Sequence, residues 1–270
     1  MAYKTFWKMK TTILFIFFLV LSGGHIKGQD QDSEATRHKI YSVGMQLGQN
    51  QIREMNLLPL VHKGMITEFS FETEKIKSSL RQFQFFLSWS RVKTSLEEMS
   101  KSANIRLGLN YSYNLLIFQK NNLRYYLGPQ TSLCYSFMLY PNWDESHSYW
   151  ADYLSFGTNN ILFVSLRHEN EWFTSINFSL FNFFSRPEEI RPYKMDDYSP
   201  GGILKAFNSN IEPGLMNKVF QIRFKTEYRF PVFVTKREAV TYNTDILRIS
   251  GNNGHPIFQI TNCIGLKIML

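Results

Sequence analysis

Side chains alternate strictly along several stretches of this chain. In Ala103–Leu115, Ile105, Leu107, Leu109, Tyr111 and Tyr113 interleave with Arg106, Gly108, Asn110, Ser112 and Asn114. Successive residues of a strand point to opposite faces, so this pattern gives one apolar and one polar face. Ser78–Ser90 repeats it, with Phe83, Phe85, Leu87 and Trp89 against Gln82, Gln84, Ser88 and Ser90. Asn217–Arg229 sets Phe220, Ile222, Phe224 and Tyr228 against Gln221, Arg223, Lys225, Glu227 and Arg229. Ten segments read as strands: Lys39–Gln49, Gly64–Glu74, Ser78–Ser90, Ala103–Leu115, Asn122–Met138, Tyr153–Arg167, Glu171–Phe184, Asn217–Arg229, Ala239–Ile249 and Pro256–Leu270. The odd-numbered connectors can be long and the even ones are mostly tight turns. An even strand count with alternating long and short connectors predicts an all-β, antiparallel, up-and-down transmembrane β-barrel.

A soluble sandwich also alternates, with its apolar face inward. Aromatic placement separates the two. If the odd strands run outward, Tyr111, Tyr113, Tyr125, Trp172 and Tyr228 gather near the periplasmic rim, and Trp89, Tyr135 and Phe137 near the outer one. Two such belts mark the interfaces of a bilayer. One region leaves the strand count open. Phe230–Val234 is apolar and Lys236–Glu238 charged, which reads as a periplasmic turn entering the ninth strand; it equally allows a downward extension of the eighth, or a twelve-stranded barrel.

The N-terminus agrees with an envelope location. Lys4, Lys8 and Lys10 precede the apolar run Thr12–Leu21, which has signal-peptide length and falls short of a membrane helix. Cleavage after Gly28 would divide the chain into a signal peptide (1–28), a short periplasmic lead (29–38) and a barrel (39–270). The chain's net charge is +8; the first 28 residues hold four lysines and no acid, leaving 26 basic and 22 acidic residues. A balance of +4 does not point to nucleic acid.

The last eight residues, Cys263-Ile264-Gly265-Leu266-Lys267-Ile268-Met269-Leu270, fit polar-x-Gly-x-x-apolar-x-apolar. This resembles the C-terminal β-signal of outer-membrane barrels, which implies recognition by the assembly machinery through Gly265, Ile268 and Leu270. In layout and composition the chain also resembles the small porin-like barrels of Bacteroidota. That resemblance carries no functional residues across.

Strand phase turns Glu68, Glu72, Arg106, Arg124, Arg167, Arg223, Lys225, Glu227, Arg229 and Lys267 inward. Seven are basic and three acidic. Two readings stand: a salt-bridged plug in a narrow bore, or an anion path drawn by uncompensated cations. Cys134 and Cys263 fall in the fifth and tenth strands, nearly opposite in a ten-stranded ring. A disulfide needs Cα atoms within about 7 Å, so two separate thiols are expected.

Catalytic signals are sparse. Omptin-type outer-membrane proteases are ten-stranded and use rim acids with a histidine. Here Asp144, Glu145, His147, Asp152, Asp196 and Asp197 lie in outer connectors, but their spacing does not match. His147-Ser148 lacks the wider motif of a lipase or deacylase. The remaining histidines are scattered, with no metal-ligand spacing, and no cofactor motif appears. The outer connectors Leu139–Asp152 and Ser185–Met216 hold Tyr140, Trp143, Tyr149, Trp150, Tyr193 and Tyr198, residue types favoured at contact surfaces. The expectation is therefore a non-enzymatic scaffold, accessory subunit or surface-binding barrel in the outer membrane. A narrow anion-preferring channel is the first alternative and a rim hydrolase the second.

Overall fold

In the computed structural model, the described residues are 38–54, 58–76, 78–94, 101–140, 147–187, 210–233, 236–250 and 255–270, with isolated positions between 199 and 205. The expected signal peptide lies outside them. Ten long strands form the wall: β1 (His38–Glu54), β2 (Leu58–Ile76), β3 (Ser79–Lys93), β4 (Ser102–Lys120), β5 (Leu123–Tyr140), β7 (Asp152–Ser165), β8 (Glu171–Ser185), β10 (Val219–Phe233), β11 (Lys236–Ser250) and β12 (Pro256–Met269). Two four-residue strands, β6 (His147–Trp150) and β9 (Glu212–Leu215), pair alongside the upper ends of β5 and β8.

Each wall strand pairs antiparallel with its neighbours in chain order, and two pairings complete the ring. β8 joins β10 directly, and β1 joins β12 from Ser42–Met269 to Glu54–Ile257. At the foot of that seam, Tyr41 and Leu270 exchange backbone hydrogen bonds of 3.2 and 2.7 Å. The barrel is closed and has ten wall strands. The twelve-stranded alternative falls because Phe230–Phe233 continues β10 and Lys236 already begins β11. The segment expected as a turn is the lower end of a hairpin, with a register shift near Pro231, where a residue without N–H is tolerated.

Arg167 also departs from expectation. It sits exposed in a short 3-10 turn, Arg167–Glu169, whose His168 and Glu169 have φ of 59° and 62°. The tight reversal ends β7 before Arg167 can turn inward.

The outer surface is apolar where lipid would meet it. Val43, Met45 and Leu47 on β1, Ile264, Leu266 and Ile268 on β12, and Leu87 and Trp89 on β3 are all exposed. Trp172 and Tyr228 lie side by side near the rim that carries the short connectors, ring centroids 6.1 Å apart. Gly265, read from the sequence as part of an assembly signal, also has a packing reason to be glycine. A Cβ there would collide with the Met45 carbonyl and the Gln46 backbone of β1.

Candidate functional site

The interior is built in three storeys. The lowest is an ion lattice that bridges the bore from β10 to β2. β2 contributes Glu72 and Glu74, β10 contributes Lys225, Glu227 and Arg229, and β12 contributes Lys267. Period-two spacing on β10 puts its three charges on one inward row, with alternating sign. Lys225 lies 2.7 Å from both Glu72 and Glu227, and Lys267 lies 2.9 Å from Glu227 and also bonds Glu72. Arg229 grips Glu74 with two N–H groups at 2.8 and 3.0 Å and donates through Nε to Glu227 at 2.8 Å. Three acids meet three bases, and all six are buried.

The facing wall is aromatic. Tyr126, Phe163 and Phe173 from β5, β7 and β8 pack edge to face, with centroids 5.8 and 5.0 Å apart, beside Leu80 and Ile161. The Arg229 guanidinium lies 4.6 Å from the Phe173 centroid and 5.4 Å from that of Phe163. Buried charges persist only when paired and hydrogen-bonded. The aromatic wall covers one side of the lattice and adds cation–π contact.

The middle storey is polar and roomier. Asp245 on β11 accepts from Arg106 at 2.8 Å and from Arg223 at 3.5 Å, and also takes the Gln221 amide at 2.9 Å. Both guanidiniums lie over the Phe86 ring, at 5.8 and 5.3 Å. Phe86 can sit there because Gly108 opposite has no side chain to meet it. Beside this group is a cavity of about 70 Å³, lined by Glu68, Arg106, Asn110, Gln130, Arg223 and Asn243 among others. That volume exceeds the roughly 10–15 Å³ that a single water needs, so the cavity can be hydrated. Glu68 faces it without a cation in ion-pair range among the described residues.

The upper storey is apolar. Ile52, Met138, Tyr153, Phe184, Val219, Leu247, Ile249 and Ile257 meet inside the mouth at the long-connector end. Arg186 braces it, donating to the carbonyls of Ile249 at 3.1 Å and His255 at 2.8 Å. Across the mouth, the Trp150 indole donates to Ser185 at 3.4 Å. Asp152 is buried and accepts from the Ser136 backbone at 3.0 Å.

These placements sort the sequence expectations. Arg106, Arg223, Lys225, Glu227, Arg229 and Lys267 are inside and form ion pairs. Glu68 is inside but unpaired. Arg124 is half-buried at the rim that carries the short connectors, 3.6 Å from Glu171, and Arg167 is outside. Trp150, expected on a contact loop, is buried. Tyr140 and Tyr149 lie in strands whose side chains at those positions are outside the described set, as is that of His147. Trp143, Asp144, Glu145, Tyr193, Asp196, Asp197 and Tyr198 lie outside the described residues altogether. Cys134 and Cys263 are buried and free.

Two acids escaped the sequence reading, Glu74 and Asp245. Glu74 shares the face of Glu72 two residues on, so phase alone could have found it. With both included, the lower and middle storeys hold Glu68, Glu72, Glu74, Glu227 and Asp245 against Arg106, Arg223, Lys225, Arg229 and Lys267. That is five of each sign. The apparent basic excess disappears, and with it the electrostatic reason for an anion path.

No protein-family model matches this chain, and no curated protein does. Solved structures do. The chain is similar to the outer membrane protease OmpT from Escherichia coli, with a TM-score of 0.51 and 9% identity, over 90% of this chain and 99% of that one. It also aligns with the β domain of the Bordetella autotransporter BrkA, with a TM-score of 0.41, 5% identity, and coverage of 84% and 98%. Neisserial surface protein A gives a TM-score of 0.36, 10% identity, and coverage of 84% and 96%. At 9% identity the OmpT likeness speaks for the fold alone, and that fold is a closed, antiparallel, ten-stranded barrel of the outer-membrane type.

Proposed function

We propose that this chain is a non-enzymatic, non-conducting outer-membrane barrel that works as a scaffold, an accessory subunit of an envelope complex or a surface-binding protein. The observation that carries this is the interior: a neutral ion lattice and aromatic wall below, an apolar mouth above. A barrel filled in this way presents its chemistry on its surfaces. Its longest connectors, 141–151 and 186–218, are both at the same end, where a partner would dock. In this reading the signal peptide is removed after Gly28. The assembly machinery engages Gly265, Ile268 and Leu270, and the closest setting is the small porin-like barrels of Bacteroidota.

The channel alternative loses its main support with the balanced interior. The hydrolase alternative gains nothing from Asp152, whose carboxylate is buried against backbone. The test is conductance. Purified protein in a planar bilayer should show no steady current, and affinity purification from native membranes should return a stable protein partner. Reproducible anion-selective steps from the unaltered protein would overturn the proposal in favour of transport.

A further inference from the structure

Cations at the barrel's rims are treated in two ways. Around β8–β11 two are matched, Lys218 with Glu212 at 3.1 Å and Arg237 with Glu171 at 3.4 Å, while Arg248 lies 5.8 Å from the Phe258 ring centroid. On the outward face at the top of β1–β4 they are not. Arg53, Lys63, Arg91, Lys93 and Lys101 are all exposed, and among the described residues none has an acid within ion-pair distance. Odd positions on β1, β2 and β3 face outward, so Arg53, Lys63, Arg91 and Lys93 stand on the lipid side rather than in the bore. The register sets Lys63 directly opposite Lys93, with Arg91 opposite Met65 on the row below. Like charges directly opposed across a strand pair are destabilising. A multivalent anion between them reverses the sign of that interaction.

The surroundings fit a lipid rather than a free anion. Arg91 lies 4.9 Å over the Trp89 ring, at the outer aromatic belt. Below it the exposed side chains are apolar, including Met65, Leu87 and Ile105. Cations above a tryptophan belt, with a hydrocarbon face beneath, match a phosphate headgroup with its acyl chains running down the wall. We propose that the outward face of β1–β4 is a docking site for a phosphorylated glycolipid of the outer leaflet. Its phosphates lie among Lys63, Arg91 and Lys93, and its acyl chains over Met65 and Leu87. This rests on the reading that the long connectors face the cell exterior.

The molecule carries its own control. At the lower end of the same strands, Lys39 stands opposite Lys75, and Lys75 opposite Arg81. Lys39 lies 4.5 Å over the Tyr41 ring and Arg81 lies 5.1 Å over that of Tyr113. That row faces the other leaflet, so a general preference of interfacial cations for lipid would engage both rows alike.

The experiment measures binding of bis-phosphorylated lipid A, and of its dephosphorylated form, to the full-length barrel in phosphatidylcholine nanodiscs. The variants are Lys63→Gln/Arg91→Gln/Lys93→Gln and the control Lys39→Gln/Lys75→Gln. Each Lys or Arg at an anionic lipid surface contributes on the order of a fivefold change in affinity, so the triple variant should bind about a hundredfold more weakly. The control and the unaltered protein should bind alike, and removal of the phosphates should reproduce the triple variant's loss. Equal losses in both variants, or undiminished binding of the dephosphorylated lipid, would overturn the proposal. Heat-modifiable mobility confirms that each variant is folded. Orientation is read separately with a membrane-impermeant maleimide on intact cells. Met216→Cys should label and Lys120→Cys should not, and the two native thiols are buried. Reversed labelling overturns the topology and the proposal together, whereas correct labelling without phosphate-dependent binding overturns the proposal alone.

Discussion

The two charged storeys of the interior solve the same problem with different margins. In the lower one every carboxylate meets at least two cations, every cation at least two carboxylates, and an aromatic wall covers one side; only Glu72 and Lys225 of the six border the cavity. In the middle one a single acid, Asp245, serves two arginines, while Glu68 looks into a cavity. The first group holds the wall together; the second tolerates hydration. Buried ion pairs are weak evidence for net stability, yet breaking one is expensive because the orphaned charge stays buried. The difference between the storeys is therefore best seen by removing one member of each.

The largest effect should come from Glu227→Gln. It withdraws the acid shared by Lys225, Arg229 and Lys267, of which only Lys225 borders the cavity, at a cost of about 3–5 kcal/mol. A lower urea midpoint in liposomes, with loss of heat-modifiable mobility at a lower temperature, would register it. Asp245→Asn should cost less, about 1–3 kcal/mol, since the adjoining cavity lets water approach the released arginines. Glu68→Gln should be smallest, about 1 kcal/mol or less, the scale of one hydrogen bond. The same urea series checks all three. If Glu68→Gln rivals Glu227→Gln, the two storeys do not differ as described.

How much of this was legible in the sequence follows from which face of each strand has uniform chemistry. On β3 and β4 the lipid face is apolar and the lumen face polar, so alternation alone located both strands, their phase and Arg106. β11 was harder. Its inward row runs Ala239, Thr241, Asn243, Asp245, Leu247, Ile249, turning apolar toward the mouth, where the plug needs hydrocarbon. Its outward row includes Thr244 and Tyr242, which hydrogen-bond each other at 3.0 Å. With both faces mixed, Asp245 had no clear side. Arg167 misled for a local reason, because two left-handed residues after it turn the chain within a few positions. The storeys themselves were not legible, since neutrality depends on pairing Lys225 with Glu72 across 153 positions of sequence.

The alternating signs on β10 have a consequence for how the barrel finds its alignment. A slip of one residue would exchange the two faces of a strand, and the apolar pattern forbids it. A slip of two residues keeps every face as it was, so greasy-out, polar-in patterning cannot detect it. The sequence Lys225, Glu227, Arg229 can. Shifted by two, β10 would offer a cation where Lys225, Arg229 and Lys267 now share a carboxylate, and a carboxylate where Glu72 or Glu74 now meets a base. Hydrophobic alternation specifies the strand's alignment only modulo two; the lattice supplies the missing bit, acting as a parity check that the wrong alignments fail.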